Sequence, residues 1–223
     1  AATFTFTISA DNDVPTWSAS ANDVSGNEDT AISITGSTLA DVDDTTLDLV
    51  TLSSTQGGTF TLASGAAIAN LDFSCGSCSG DGTADNSMAF TGTLANVNTA
   101  IATITWTSAT DDDDNAVLSL IANDGDGNSA TDSVTITVGS VNDPPVNTIN
   151  SGPTINEDVA TSFTGNSVSD ADNTALDPMT IAVTLGTFSL AQTTGLDFTA
   201  GDTSGEGACV GAAGDGTADA TMT

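Results

Sequence analysis

The amino-acid sequence predicts an all-β protein, folded as tandem β-sandwiches that are joined by linkers. Short runs rich in Thr, Val and Ile alternate apolar and polar residues, as at 134–138, and this is the period of a half-buried strand. Gly, Asp and Asn separate these runs, as turns between strands do. A set of motifs recurs about 130 residues further along the chain, which indicates two copies of one module.

The composition limits the chemistry that the chain can perform. Its 223 residues include 30 Asp and Glu but no Lys, Arg, His or Tyr, so the formal net charge is −30. Because no cationic side chain can neutralise the carboxylates, bound metal, high ionic strength or low pH must offset their repulsion. Nucleic acid and anionic membrane surfaces are therefore poor partners, and no stretch is apolar enough to be embedded in a membrane.

High charge with few aromatic residues is also typical of a disordered chain. The hydrophobic fraction is 38%, however, and the apolar residues fall in alternating runs, which favours a folded chain that binds metal.

The three cysteines are too few for a disulfide framework. Cys75 and Cys78 lie three residues apart in a Ser/Gly loop, and no histidine is available to complete a mixed zinc site. A small loop disulfide is expected here rather than a redox dithiol, whereas Cys209 has no evident partner.

Eight strands are expected in the first copy of the module. They cover residues 16–23, 30–35, 47–53, 59–63, 88–91, 101–107, 116–122 and 132–139. Each is short and bounded by turn residues, as sandwich strands are. One helical turn is expected as well, because Leu94, Val97 and Ile101 fall three and four residues apart and share one helix face.

The recurring motifs divide the chain into modules. The matching segments are 11–15 with 141–145, 27–29 with 156–158, 41–43 with 170–172, 58–60 with 186–188, 71–73 with 196–198, and 81–85 with 215–219. Residues 1–13 are expected to be the last strand and linker of a preceding module, or a strand donated to another chain. Residues 14–143 are expected to form one complete module, and residues 144–223 a second module that lacks its last third.

These motifs also resemble a known family. Asn-Asp-Gly-Asp-Gly at 123–127, Val-Asn-Asp-Pro-Pro at 141–145, Asn-Glu-Asp-Val at 156–159 and Asp-Ala-Asp at 170–172 look like the cadherin-like tandem repeats of bacterial extracellular adhesins and surface fibre proteins. The resemblance covers essentially the whole chain, and loop 64–86 is its least typical part. It implies a seven-stranded Greek-key sandwich of cadherin or immunoglobulin type in each repeat, calcium at each junction, and a role in adhesion or in fibres.

Strand direction in an alternating sandwich predicts which acidic residues meet at a junction. The first turn and the fifth-to-sixth loop lie at the lower end of a module, beside the linker to the next one. The expected ligands at this lower junction are Glu28, Asp111, Asp112, Asp113, Asp114, Asn142, Asp143, Asp170 and Asp172. Calcium takes about six to eight oxygen ligands, which this set can supply. A solvated charge run is the alternative for the four consecutive aspartates.

An upper junction is expected by repetition at the start of the complete module. Its expected ligands are Asp11, Asn12, Asp13, Asp41 and Asp43. Glu157 would occupy the place of Glu28 at a later linker. The loop at 123–128 lacks the terminal Glu and the flanking helices of an EF-hand, so it is expected first to be a hairpin turn. A calcium contribution from Asp124 or Asp126 stays open.

The predicted function is that of a calcium-rigidified extracellular structural or adhesive repeat protein, which forms a stalk or a surface filament. An enzyme is not expected, because only carboxylates, hydroxyls and thiols remain as catalytic groups. A carboxylate pair could support glycosidase chemistry, but the acids cluster where metal ligands are expected. A second alternative is an adhesin module that binds a glycan or a protein through loop 64–86, with an ordered apolar patch near Phe73 and Phe90.

The expected partners are neighbouring repeats or identical subunits, with strand addition as one way to join them. A cell-surface or glycan target is a further expected partner. Calcium is the expected cofactor, and the expected location is extracellular or at the cell surface.

Overall fold

The chain divides into two compact units, Ala1–Val141 and Asn142–Thr223. The computed structural model describes residues 2–9, 11–18, 23–63, 65–127, 131–173, 179–196 and 221–222. Within these ranges, no helix has both the length and the apolar character that crossing a membrane would require.

The described part of the first unit contains ten strands and two short helices. The strands are β1 (Thr16–Ser18), β2 (Asp23–Asn27), β3 (Ile32–Thr35), β4 (Thr38–Ala40), β5 (Thr46–Ser54), β6 (Thr59–Thr61), β7 (Ser87–Thr93), β8 (Thr103–Thr107), β9 (Ala116–Asn123) and β10 (Asp132–Gly139). The helices are α1 (Gly65–Ile68) and α2 (Leu94–Ile101). One sheet has the order β2-β10-β9-β5-β7, a second has the order β3-β8-β6, and β1 pairs with β4.

Both larger sheets and α2 contribute side chains to one hydrophobic cluster. In β10, Val134 and Ile136 are fully buried, while the intervening Thr135 is exposed. In β8, Ile104 and Trp106 are buried in the same alternating way. Burying a large apolar side chain stabilises a fold by about 1.5–3 kcal/mol. The period of two that is visible in the sequence therefore decides which face of each strand contacts the core.

The all-β class is confirmed, and most of the expected strands have a counterpart at nearly the same residues. The helix at 94–101 is present as well, and its first turn is capped by Thr93, whose hydroxyl oxygen accepts the N–H of Asn96. The single strand expected at 16–23 is wrong. The chain changes partners there, because β1 pairs antiparallel with β4 whereas β2 pairs parallel with β10.

The second unit contains fewer strands in its described residues. There, β11 (Val146–Thr148) pairs with β12 (Ser167–Ser169), and β13 (Ile181–Ala182) pairs with β14 (Thr221–Met222). The turn at Glu157 and Asp158 places Asp158 in the left-handed region with φ 59°, and the matching Asp29 of the first unit has φ 55°. The two copies therefore share this turn conformation. The motifs at 197–198 and 215–219, and Cys209, lie outside the described residues.

Candidate metal centre

The linker at the start of the first unit is docked onto two acidic loops. The backbone N–H of Asp13 donates to Oδ2 of Asp43 at 2.9 Å, and Nδ2 of Asn12 donates to Oδ2 of Asp124 at 2.9 Å. These bonds join residues that are 30 and 112 positions apart in the chain. The structure therefore brings the linker, the loop at 41–44 and the loop at 124–127 to one place, whereas Asp11 is exposed beside them.

The loop at 41–44 is held by its first aspartate. Oδ1 of Asp41 accepts the N–H of Asp43 at 2.9 Å and the N–H of Asp44 at 2.7 Å, which is the bonding of an Asx turn. Oδ2 of Asp41 is buried and has no hydrogen-bond partner among the described residues. A buried acceptor without a partner is costly, so a bound cation would satisfy an oxygen that the protein leaves unpaired.

The loop between β9 and β10 has the same Asx-turn hydrogen bonds. Oδ1 of Asp124 accepts the N–H of Asp126 at 2.9 Å and the N–H of Gly127 at 2.7 Å. Gly125 has φ +103°, and a Cβ there would lie 2.5 Å from Oδ2 of Asp48. Only glycine suits this position, because its backbone is left-handed and a carboxylate lies against it. The hairpin turn thus also brings Asp48 to the acidic loops.

Two aspartates of the loops at 41–44 and 124–127 have shifted pKa values. Burial raises the pKa of the Asp44 carboxyl, and the neighbouring carboxylates of Asp41, Asp124, Asp126 and Asp43 raise it further. The pKa of Asp124 is lowered, chiefly because the amide of Asn12 donates to its carboxylate, and this outweighs the opposing effect of burial. Since the chain has no cationic side chain, these carboxylates are neutralised by protonation at low pH or by a cation from solution.

The other end of the first unit is built around Glu28 in the turn after β2. Glu28 is only 3% exposed. Its Oε1 accepts the N–H of Val141 at 2.7 Å, and its own N–H donates to the carbonyl oxygen of Gly139 at 3.0 Å. The glutamate therefore holds the last residues of this unit against the turn, as a side-chain acceptor for a backbone donor that would otherwise be unpaired.

Asp29 lies next to Glu28 in the same turn, and it was not among the ligands expected from the sequence. Its N–H donates to Oγ of Ser108 at 3.1 Å. One of its carboxylate oxygens lies within 4.8 Å of a carboxylate oxygen of Asp111. The signal that could have identified it is its place after the glutamate in both copies of the Asn-Glu-Asp motif.

The four consecutive aspartates at 111–114 make different contacts. Asp111 lies beside Asp29, whereas Oδ1 of Asp112 accepts the N–H of Asp114 at 3.1 Å and so holds its own loop. Asp113 and Asp114 are exposed. The following residue, Asn115, accepts the N–H of Val138 with its side-chain oxygen at 2.9 Å. The geometry therefore favours Asp111 as the ligand from this run.

The second unit repeats the docking of its linker. The N–H of Asp143 donates to a carboxylate oxygen of Asp172. Oδ1 of Asp170 accepts the N–H of Asp172 at 3.1 Å and the N–H of Asn173 at 2.8 Å. Carboxylate oxygens of Asp143 and Asp172 lie within 4.8 Å of each other. This is the hydrogen-bond set of Asp13, Asp41, Asp43 and Asp44, formed a second time.

The two remaining ligands expected in the second unit are exposed. Asn142 donates from Nδ2 to the carbonyl oxygen of Asp143 at 3.1 Å, and Glu157 lies in the turn that matches that of Glu28.

Comparison of the chain with protein-family models, with curated proteins and with solved structures gives no match.

Replacing Glu28 tests its structural role apart from its charge. Glu28→Ala removes the acceptor for the Val141 N–H, so it should lower the free energy of unfolding of the metal-free chain by about 1–3 kcal/mol. Glu28→Gln keeps an acceptor oxygen and should cost clearly less. Urea unfolding in the presence of a chelator measures both. Equal losses in the two variants would contradict the hydrogen-bonding role.

Asp44 and Asp124 should respond to pH in opposite ways. A raised folded-state pKa disfavours folding once pH rises above the unfolded value of about 3.9. Asp44→Asn should therefore raise the Tm of the metal-free chain at pH 7. The lowered pKa of Asp124 contributes stability above that value and loses it as pH falls, so Asp124→Asn should lower the Tm at pH 7.

Thermal unfolding at pH 7 and at pH 3 measures both effects, with Asp113→Asn as an exposed control. At pH 3 the gain in Tm from Asp44→Asn should disappear, because the carboxyl of Asp44 is then protonated in the parent chain as well. The loss in Tm from Asp124→Asn should be smaller than at pH 7, because the stability that this carboxylate contributes falls with pH. A lower Tm for Asp44→Asn than for the parent at pH 7 would overturn the assignment.

Proposed function

We propose that the chain is a calcium-rigidified, extracellular structural or adhesive repeat protein, built of cadherin-like Greek-key sandwiches, which forms a stalk or a surface filament. One observation carries this proposal. In both units a linker aspartate donates its N–H to the second aspartate of an Asp-x-Asp motif. The first aspartate of that motif accepts the N–H groups of the residues two and three positions after it. The residues are Asp13, Asp41 and Asp43 in one unit and Asp143, Asp170 and Asp172 in the other.

The donor set supports calcium in particular. The clusters offer carboxylate and amide oxygens, without sulfur or imidazole, and such ligands suit hard cations rather than zinc or copper. The buried Oδ2 of Asp41, which has no hydrogen-bond partner within the described ranges, would supply one acceptor for a cation. Several of the other carboxylates lie in loops of irregular geometry, which calcium accepts more readily than magnesium does.

Chain continuity supports a role for these clusters at the junction of successive modules. Glu28 holds the N–H of Val141, and Asn142 and Asp143 follow directly in the sequence. From the order of the motifs along the chain, we propose that the cation of each linker is shared by the modules that precede and follow it. Such a bridge would resist bending only when the cation is bound, because the metal-free carboxylates repel one another.

Calcium binding is tested by calorimetric titration of the chain and of two matched variants. Asp43→Asn keeps an acceptor for the Asp13 N–H but removes a charge from the cluster, so it should weaken calcium binding at this site about tenfold or more. Asp81→Asn changes an aspartate of the loop at 81–85 and should leave affinity unchanged. Equal affinity in all three proteins would overturn the site.

Small-angle scattering tests the mechanical role in the same samples. The parent chain with calcium should scatter as an extended rod, and addition of a chelator should give a more flexible and expanded profile. Profiles that coincide with and without the chelator would contradict rigidification, even if calcium binds.

A second candidate, a filament joined by strand addition, is favoured by residues 3–9. The side chains of Phe4, Phe6 and Ile8 are 86%, 87% and 92% exposed. Counting back from the matching linker motifs, they correspond to Val134, Ile136 and Val138 of β10. Those three side chains are buried, and β10 lies between two paired strands.

Residues 3–9 thus alternate apolar and polar side chains as an inner strand does, yet they form no strand with the described residues. We propose that they pair with the edge of a sheet in a neighbouring repeat or an identical subunit, since extended segments of this kind add to open sheet edges. The three exposed apolar side chains would then fill the place that the matching residues of β10 fill in their own core.

Variants of the segment test this second candidate. Phe6→Asp puts a charge on the apolar face and should abolish concentration-dependent association, because a buried unpaired charge is strongly unfavourable. Thr5→Asp puts the same charge on the other face and should retain association. Light scattering and electron microscopy with calcium measure both. A parent chain that stays monomeric, or two variants that behave alike, would contradict strand addition.

A ligand-binding role for loop 64–86 is less well supported. The rings of Phe73 and Phe90 do pack together, with centroids 5.3 Å apart. Phe90 is fully buried, however, and Phe73 packs against the core. This aromatic pair stabilises the fold of the loop and leaves little apolar surface for a glycan or a peptide, so we do not propose a receptor function for it.

A further inference from the structure

The loop after α1 covers the outer edge of the five-stranded sheet. β7 is the last strand of that sheet, and β5 pairs with its inner side. On the outer side, Asp72 and Thr91 exchange two backbone hydrogen bonds of 2.9 Å. Ser79 and Ala89 exchange two more, of 2.9 and 3.0 Å. The backbone groups of Ala89 and Thr91, which would otherwise form an open edge, are thus paired within the chain.

The two pairs are spaced unequally along the loop and the strand. Asp72 and Ser79 are seven positions apart, whereas their partners Thr91 and Ala89 are two positions apart, so the chain between Asp72 and Ser79 must leave the edge and return to it. Within this excursion, Cys75 and Cys78 form a disulfide, and the N–H of Cys78 donates to the carbonyl oxygen of Cys75 at 3.0 Å.

The two halves of the excursion are anchored differently. The first half is held by Phe73 against Phe90, and by the carboxylate of Asp72, which accepts both the N–H and the hydroxyl of Ser74 at 2.7 and 2.6 Å. The second half, residues 76–80, is Gly-Ser-Cys-Ser-Gly and has no large apolar side chain. The disulfide is the covalent side-chain link between the two halves, and after the second half Oδ2 of Asp85 accepts the N–H groups of Asp81 and Gly82 at 2.9 and 2.8 Å.

We propose that the Cys75–Cys78 disulfide is a clamp, which keeps Ser79 paired with Ala89 and so closes the outer edge of β7. An edge strand with unpaired N–H and C=O groups is a template for other strands. A clamp at this edge would confine strand pairing between chains to other sites. This inference does not depend on calcium, and it stands apart from the proposed function.

Amide hydrogen exchange followed by NMR tests the clamp. The reference is Cys209→Ser, which keeps the clamp and removes the remaining thiol; the test variant adds Cys75→Ser and Cys78→Ser. In the variant without the disulfide, the amide of Ala89 should exchange about tenfold faster or more than in the reference. The disulfide closes a short loop and so limits the conformations that this segment can adopt when the edge opens. The amide of Thr91, beside the anchored half, should change less. The amide of Phe90, which alternation directs towards β5, should not change.

Two results would overturn the proposal. Unchanged exchange at Ala89 would mean that the disulfide does not hold the edge. Equal acceleration at Ala89 and Phe90 would mean that its loss unfolds the whole sheet.

Reduction of the Cys209→Ser protein provides a second measurement without further substitution. A dithiol such as dithiothreitol gives two electrons and two protons to the disulfide, which becomes two thiols, and is itself oxidised to a cyclic disulfide. The same selective acceleration at Ala89 is expected. Acceleration in the serine variant alone would assign the effect to the substituted side chains and refute the clamp.

Discussion

Charge that the chain cannot neutralise by itself is the constraint on which the rest of the structure depends. Thirty carboxylates are present without a Lys, Arg or His, so an ion pair between side chains is impossible. Many of the acidic residues lie in loops at the ends of strands, while the outward side chains of β8 are Thr103, Thr105 and Thr107. Neutral hydroxyl groups thus cover this sheet face, and negative potential is concentrated at the loops.

The acidic loops are shaped by their own carboxylates before any cation is considered. Asp41, Asp124 and Asp170 each use Oδ1 to accept two following backbone N–H groups. This leaves the second oxygen for another partner. In Asp124 that partner is the amide of Asn12, and in Asp41 the oxygen is buried and has no hydrogen-bond partner in the part of the chain that the structure describes. A preformed loop of this kind lowers the ordering cost of binding.

The sequence predicts the parts of this arrangement that depend on repetition and local pattern. The recurrence of the linker and of the Asp-x-Asp motif led to the expectation that Asp13 and Asp43 meet, and a hydrogen bond joins them. The 94–101 helix followed from apolar spacing and the loop disulfide from two nearby cysteines. Whether any of these acids binds a cation stays a prediction.

Tertiary pairing explains what could not be predicted. Nothing local in residues 16–27 indicates that β1 pairs with β4 and that β2 pairs with β10. β4 and α1 are only three and four residues long, which is too short for a periodic signal. Asp29 was missed because its role depends on a left-handed turn and on Ser108, which lies 79 residues away in the sequence.

The linkers are docked by backbone donors, and this separates their docking from their side-chain identity. The groups that bind Asp43 and Asp172 are the N–H groups of residues 13 and 143, which every amino acid except proline possesses. The neighbouring prolines are at 15, 144 and 145. The side chain at 13 or 143, and with it the ligand it offers, could therefore change during evolution while the backbone hydrogen bond of the linker is retained. Proline at position 13 or 143 itself would remove that hydrogen bond, because proline has no N–H.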